Sequence, residues 1–377
     1  MKGYIKGLDG LRAVAIIWVM FGHVSPSLNW ESTTFYHKAY VLFSNSNWVG
    51  VQLFFVLSGY LITKILIEGR GTDHQLKNFF IRRSLRIFPV YYFTLAVVFI
   101  LVPIISETPT WLESVTDNQI WFWTYLNNWA RPFFPFGGLT HLWSLAIEEQ
   151  FYLFWPFVVI FLSNRRVVDV CLFMIISAPL IRFALYYNPE FFNLTVEQGA
   201  RATYNFTFAR WDALALGALL AVIMTQKDCR EMLAKIAKPS LIIVTFVIAF
   251  QVYINHNFTS VDAGIGLLNQ TTASLAFVLI LYFVVSNNAV FLTRILEVSW
   301  FKKIGKYSYA MYIFHLPLMM LWLELARPDL SGYSALALIP VIVAYNIAFI
   351  AINFCIAAIS WHLLEYPFLK LKHKFER

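Results

Sequence analysis

An imidazole, several guanidiniums and a hydroxyl–carboxylate pair stand inside or at the edges of strongly apolar stretches of this sequence. The run DGLRAVAIIWVMFGH, residues 9–23, carries Arg12 near one end and His23 at the other. On a helix rising about 1.5 Å per residue, the two lie about 16 Å apart along the axis. With Arg12 at one face of a membrane, His23 sits near the middle or beyond. An imidazole at that depth needs a water-filled cavity, a partner or a task, and its titration near neutral pH suits proton transfer. The stretch FFIRRSLRIFPVYY sets Arg83 and Arg86 three apart, on one helix face, before Pro89. They act either as membrane-boundary anchors or as a clamp for a phosphate-bearing anion, because guanidinium binds phosphate through two parallel hydrogen bonds. The stretch HLWSLAIEEQFYLFWP puts His141, Ser144 and Glu148 at i, i+3 and i+7, on one stripe. Glu149 points about 100° away. Packing explains this stripe poorly, and structural ion pairing is the competing account. A carboxylate there must be paired or face a wet cavity.

The elements that carry these residues are membrane spans. Of the 377 residues, 13% are charged and 59% hydrophobic. A soluble domain carries about 25% charged residues, so this chain cannot cover a water-facing surface. Ten apolar segments can be drawn, at about 12–29, 47–67, 84–105, 142–162, 167–187, 210–225, 239–254, 263–286, 307–326 and 336–364. The expected fold is an all-α polytopic bundle of about ten transmembrane helices, one domain over residues 1–377 with no appended soluble domain. Cys171, Cys229 and Cys355 suggest neither a disulfide framework nor a metal site. Arg12 and His23 interrupt the first apolar run, so a cleavable signal peptide is not expected.

The net charge of +8 is unevenly placed. Lys2, Lys6 and Arg12 precede the first span. Lys64, Arg70, Lys77, Arg82, Arg83 and Arg86 lie in the second connection and its flanks, Arg165 and Arg166 in the fourth, and Lys227, Arg230, Lys235 and Lys238 in the sixth. Arg294, Lys302, Lys303 and Lys306 follow the eighth, and Lys370, Lys372, Lys374 and Arg377 the last. Alternate connections are therefore basic, which by the positive-inside rule makes both termini cytoplasmic. The basic excess is topology. A nucleic-acid partner is not expected, whereas membrane lipids are.

The remaining polar residues have plainer expectations. Gly50, Ser58 and Gly59 in the second span read as packing residues, and Gln52 as an amide in need of a partner. The aromatic stretch from Trp111 to Gly138 reads as re-entrant or interfacial. Arg210 and Asp212 are expected to pair with each other or with another helix. Pro317 frees a backbone carbonyl, and His315 is expected to satisfy local polar groups. Glu365 reads as a cap or a tie to the cytoplasmic arginines. The sequence contains no phosphate-binding glycine loop and no dinucleotide fingerprint, so phosphate would have to be met by side-chain cations or helix ends.

Seven strings, GLDGLRAVAIIWVMFGH, GVQLFFVLSGYLIT, RRSLRIFPVYY, HLWSLAIEEQFYLFWP, RWDALALGALLA, YSYAMYIFHLPL and EYPFLKL, occur in this order between Gly7 and Leu371. Together they resemble the acyltransferase-3 family of bacterial-type integral membrane O-acyltransferases. The resemblance implies transfer of an acyl group, most often acetyl from acetyl-CoA, to a hydroxyl of a sugar or another acceptor. Family acceptors include lipopolysaccharide, exopolysaccharide and peptidoglycan, so a glycan or glycolipid acceptor and a location in the inner (plasma) membrane follow as expectations. Acetyl-CoA would be a substrate, and neither a permanently bound cofactor nor a metal is implied.

The family's arginine–histidine pair falls on Arg12 and His23, its two arginines after the second span on Arg83 and Arg86, and its HxWSxxxE stretch on His141, Trp143, Ser144 and Glu148. Many relatives carry Asp where this chain has Gln52, which argues against a carboxylate there orienting His23. The implied roles make His23 the base, with Ser144 and Glu148 beside it in the catalytic set. Arg12, Arg83 and Arg86 would hold the donor, and His141, Gln52 and Trp143 would bind or orient the acceptor. Gln52 or Ser144 would supply an oxyanion hydrogen bond. A proton-coupled transporter is the alternative from another class, since it too places His, Glu and Arg inside spans.

Overall fold

The computed structural model describes residues 4–28, 34–105, 109–260, 263–331 and 333–371. Lys2, Lys372, Lys374 and Arg377, which contribute to the charge asymmetry, lie outside the described residues. Among the described residues the secondary structure is helical, and ten helices are long and apolar enough to cross a membrane. They are α1 (Leu8–Val24), α2 (Trp48–Glu68), α3 (Gln75–Ala96), α4 (Trp143–Phe161) and α5 (Asn164–Tyr187). The others are α6 (Thr207–Thr225), α7 (Lys227–Asn255), α8 (Asn269–Val285), α9 (Ser299–Ala326) and α10 (Ala335–Ser360). Each of the ten apolar segments falls on one of them. Several helices start earlier than their apolar stretch, because the basic residues before it continue the helix: α7 begins at Lys227 and α9 at Ser299.

The bundle is built around α2, which packs on α1, α4, α6 and α8, while α9 packs on α1. Lipid is as apolar as leucine, so helices in a membrane associate through close backbone approach and interhelical polar contacts. Both occur here. A Cβ on Gly59 of α2 would stand 1.9 Å from the Leu214 carbonyl of α6, and one on Gly217 of α6 would stand 2.0 Å from the Val56 carbonyl of α2. Only a hydrogen fits at either point. Polar contacts join the same elements: the Gln52 amide donates to the Gln270 carbonyl of α8 (2.8 Å), and its oxygen accepts from Arg210 Nη2 of α6 (3.1 Å). At the periphery, α7 buries Ala237 and Gln251 and turns Ile242, Ile243, Phe246 and Phe250 outward, as a lipid-facing helix should.

The charged residues outside the cavity described below are mostly structural. Arg182 of α5 pairs with Asp212 of α6 (3.1 Å) and also donates to the carbonyls of Leu267 and Ala209, so Asp212 is tied to another helix and not to Arg210. Arg70 donates to the carbonyls of Val159 and Leu162 and to Asn164 Oδ1, closing the C-terminal end of α4, where helical carbonyls lack intrahelical partners. Glu365 is buried and accepts from Ser360 Oγ at 3.3 Å. In the connection before α9, partial burial raises the Glu297 carboxyl, but hydrogen bonds from the Gly7 amide (2.7 Å) and the Tyr4 hydroxyl (2.9 Å) outweigh it and hold the group below its usual range. The aromatic stretch between α3 and α4 folds into the short helices Thr110–Thr116, Ile120–Trp123, Asn127–Ala130 and Gly137–Leu142. It buries Leu112, Phe122, Phe136 and Leu139 against the bundle.

Two substitutions test this packing. Gly217→Leu drives a side chain into the α2 backbone and should lower stability by about 1–3 kcal/mol, read as a fall in the thermal unfolding midpoint in detergent. Gln52→Leu strips Arg210 of its oxygen partner and should cost about 1.5–3 kcal/mol, whereas Gln52→Glu, which keeps an oxygen for the same guanidinium but loses the N–H that the Gln270 carbonyl accepts, should unfold between the Gln52→Leu and native midpoints.

Candidate active site

The ionisable residues of five helices meet at one cavity of about 800 Å³, part of it open solvent. Helix α1 contributes Arg12, α2 contributes Ser58, and α3 contributes Arg83 and Arg86. Helix α4 contributes Ser144, Glu148, Glu149 and Tyr152, and α9 contributes Ser308, Tyr309 and Tyr312. Each set follows from helical spacing: Ser144, Glu148 and Tyr152 recur every four residues, and Arg83 and Arg86 share a face three apart. The chemistry is polarised. Arg12 is fastened by Asp9 (2.7 Å) one turn earlier on α1. Arg83 and Arg86 form no salt bridge among the described residues. The Arg83 guanidinium lies over the rings of Tyr152 (5.5 Å) and Phe79 (5.8 Å), which orients it while leaving its donors available. Such a pair suits an anion with several oxygens.

The carboxylate side is also held in place. Ser58 Oγ donates to Glu148 Oε1 at 2.6 Å, and the Tyr152 hydroxyl donates to Ser58 Oγ at 3.0 Å. Ser58, read from the sequence as a packing residue, is thus the partner of Glu148. Glu149 was expected to point away from Glu148, yet both line the cavity, which is wide enough at α4 to be reached from neighbouring faces of that helix. Tyr309 donates to the Ile87 carbonyl (2.8 Å) and fixes α9 against the arginine-bearing helix α3.

Within the lining, Ser144 Oγ and the Tyr312 hydroxyl share a hydrogen bond (2.6 Å), and the Tyr312 hydroxyl also lies 3.1 Å from the His141 carbonyl. Beside Tyr312 stand three imidazoles. The His315 ring lies 4.6 Å from that of His141 and 5.2 Å from that of His23, centre to centre. His23 is half-buried and does not line the cavity; His141 and His315 are buried. Pro317 leaves the carbonyl of Ile313, four residues earlier, without a helical donor. His315, expected to satisfy local polar groups, does so: its Nδ1 meets the Tyr312 carbonyl. The Ile313 carbonyl is met by His141 Nε2, from the approach to α4, at 3.0 Å.

Gln52 and Trp143 belong to a third group. They surround Arg210, which is fully buried, with Tyr204, Trp143 and Phe55 at 4.5, 5.2 and 5.8 Å from its guanidinium carbon. Arg210 Nε and Nη1 have no hydrogen-bond partner among the described residues. Of the residues singled out in the sequence, the fold therefore gathers Arg12, Arg83, Arg86, Ser144 and Glu148 around one cavity. It sets His23 and His141 in the adjoining histidine cluster and Gln52 and Trp143 around a buried cation. Sequence reasoning missed Ser58, Tyr152, Tyr309 and Tyr312 at the cavity. A four-residue extension of the Ser144–Glu148 stripe points to Tyr152; nothing local points to Ser58.

Known proteins agree with the reading of the motifs. The profile of the family described as "Acyltransferase domain" matches residues 5–360. The "Peptidoglycan O-acetyltransferase OatA" of Listeria monocytogenes serovar 1/2a is 29% identical over 392 residues, covering 98% of this chain and 56% of the relative. The "O-acetyltransferase OatA" of Staphylococcus aureus strain NCTC 8325 is 30% identical over 382 residues, covering 97% of this chain and 57% of the relative. The chain thus spans little more than half the length of these relatives. No solved structure matches it significantly. With the profile running from before Arg12 to beyond His315, through every helix that lines the cavity, the chain belongs to the acyltransferase-3 family.

Proposed function

We propose that this protein transfers an acyl group, most simply acetyl from acetyl-CoA, to a sugar hydroxyl of a cell-surface or exported glycan. The observation that carries this reading is the cavity itself. Two guanidiniums without salt-bridge partners among the described residues, and a third tied to Asp9, line a cavity shared with α4 and α9, and its Tyr312 packs against the imidazole cluster. An acyl-CoA has this polarity: phosphates at one end, an extended apolar arm, and a thioester at the other. The relatives named as peptidoglycan O-acetyltransferases support a glycan as acceptor. The charge asymmetry of the connections favours cytoplasmic termini, and hence a cytoplasmic arginine end, where acyl-CoA is found.

In this mechanism Arg83 and Arg86, aided by Arg12, hold the phosphates of the donor. His23 takes the proton of the acceptor hydroxyl as its oxygen attacks the thioester carbonyl. The carbon–sulfur bond then breaks, the CoA thiolate takes the proton back from the His23 imidazolium, and the products are the O-acylated sugar and free CoA. Tyr312 and Ser144, in the cavity lining beside the imidazole cluster, offer hydroxyl donors to the developing oxyanion. Glu148, held by Ser58 and Tyr152, keeps a negative charge or a hydrogen-bond acceptor facing the cavity.

His23→Ala should lower acyl transfer by at least about a hundredfold while the purified protein keeps its unfolding midpoint. Transfer is read by mass spectrometry as loss of one acetyl unit from the surface glycan, and undiminished acetylation would refute the assignment. Arg83→Ala and Arg86→Ala should each weaken acetyl-CoA binding about tenfold or more with the acceptor KM unchanged. Calorimetry in detergent giving native donor affinity would remove the phosphate clamp.

A further inference from the structure

His141 and His315 share a property that a base in the position of His23 can use. A backbone carbonyl only accepts hydrogen bonds, so the nitrogen facing it must carry the proton. His141 therefore holds its proton on Nε2, against the Ile313 carbonyl, and His315 holds its proton on Nδ1, against the Tyr312 carbonyl. The opposite nitrogens, His141 Nδ1 and His315 Nε2, are bare lone pairs, and both are buried with no hydrogen-bond partner among the described residues. The residues that carry them are 3% and 0% exposed. A buried acceptor left without a donor is costly, and two side by side mark a place where a donor belongs. His23, the third ring of the cluster, forms no side-chain hydrogen bond among the described residues. Its ring centre lies 5.2 Å from that of His315. Rotation of the His23 ring alone can turn one of its nitrogens toward His315, whose own ring stays on the Tyr312 carbonyl. Position 52 offers no carboxylate for this purpose, since Gln52 is engaged by Arg210 and by the Gln270 carbonyl.

We propose that His315 is the positioning residue for His23: its Nε2 lone pair accepts the ring N–H of His23, which leaves the other nitrogen of His23 bare toward the acceptor hydroxyl. One imidazole thereby sets the tautomer of another, a task often done by a carboxylate. The proton inventory closes. His315 keeps its Nδ1 proton on the Tyr312 carbonyl throughout, and His23 alone gains and returns the proton of the hydroxyl. His141, pinned by the carbonyl that Pro317 frees, packs against the far side of His315 and limits its rotation. The inference rests on His23 being the base.

The test is made on full-length protein in detergent with 15N-labelled imidazoles, at a pH where they are neutral. Native His23 should show a single tautomer, and His315→Leu should convert it to a mixture. In the same variant kcat should fall about a hundredfold with the KM for acetyl-CoA unchanged. His315→Gln, which restores an oxygen acceptor near the place of Nε2, should return the single tautomer and most of kcat. A His23 that already shows both tautomers in the native protein overturns the proposal, even if His315→Leu fails to fold. So does a His315→Leu variant with native spectrum and native kcat. Failure of the acyl-transfer reading is separate: it appears as no acyl-CoA consumption by the native protein, whatever the tautomer of His23.

Discussion

Hydrocarbon offers no hydrogen-bond partner, and that constraint shapes the interior of this protein. Every ionisable side chain carried into a span must find another protein group or a wet cavity. Arg182 finds Asp212 and two carbonyls, Arg210 finds Gln52 and three aromatic rings, and Arg12, Arg83, Arg86, Glu148 and Glu149 of α1, α3 and α4 gather around one cavity. These meetings require helices to approach closely. The Gly59–Leu214 and Gly217–Val56 contacts bring α2 and α6 together, and the Gln52–Arg210 bond spans the same pair of helices. Packing and polar satisfaction are one arrangement seen twice.

The polar groups of the site fall into two neighbouring sets. Guanidiniums and carboxylates line the cavity, and three imidazoles cluster beside it. Tyr312 belongs to both: it lines the cavity, shares a hydrogen bond with Ser144, and packs its ring against those of His141 and His315.

Pro317 shows how a break in regular structure becomes part of a site. Its missing N–H exposes the Ile313 carbonyl, and the donor that answers is on another chain segment, His141. That bond both joins α9 to the approach of α4 and decides which nitrogen of His141 carries a proton. A residue with no chemistry of its own thereby fixes the protonation pattern next to His23.

Much of this was legible in the residues. Charge depletion and ten apolar runs dictate a ten-helix membrane bundle, because hydrocarbon admits no other spanning backbone in so apolar a chain. Helical periodicity put Ser144 on one stripe with Glu148, and Arg83 beside Arg86. The order of motifs disclosed the family. Periodicity, however, describes one helix at a time. It could not tell that Ser58 meets Glu148, since they lie 90 residues apart on different helices. Nor could it show that Asp212 chooses Arg182 over its near neighbour Arg210, or that His141 and not His315 takes the carbonyl freed by Pro317. Those choices depend on the rotation and depth of each helix against the next. Only the tertiary packing of small residues and interhelical hydrogen bonds sets them.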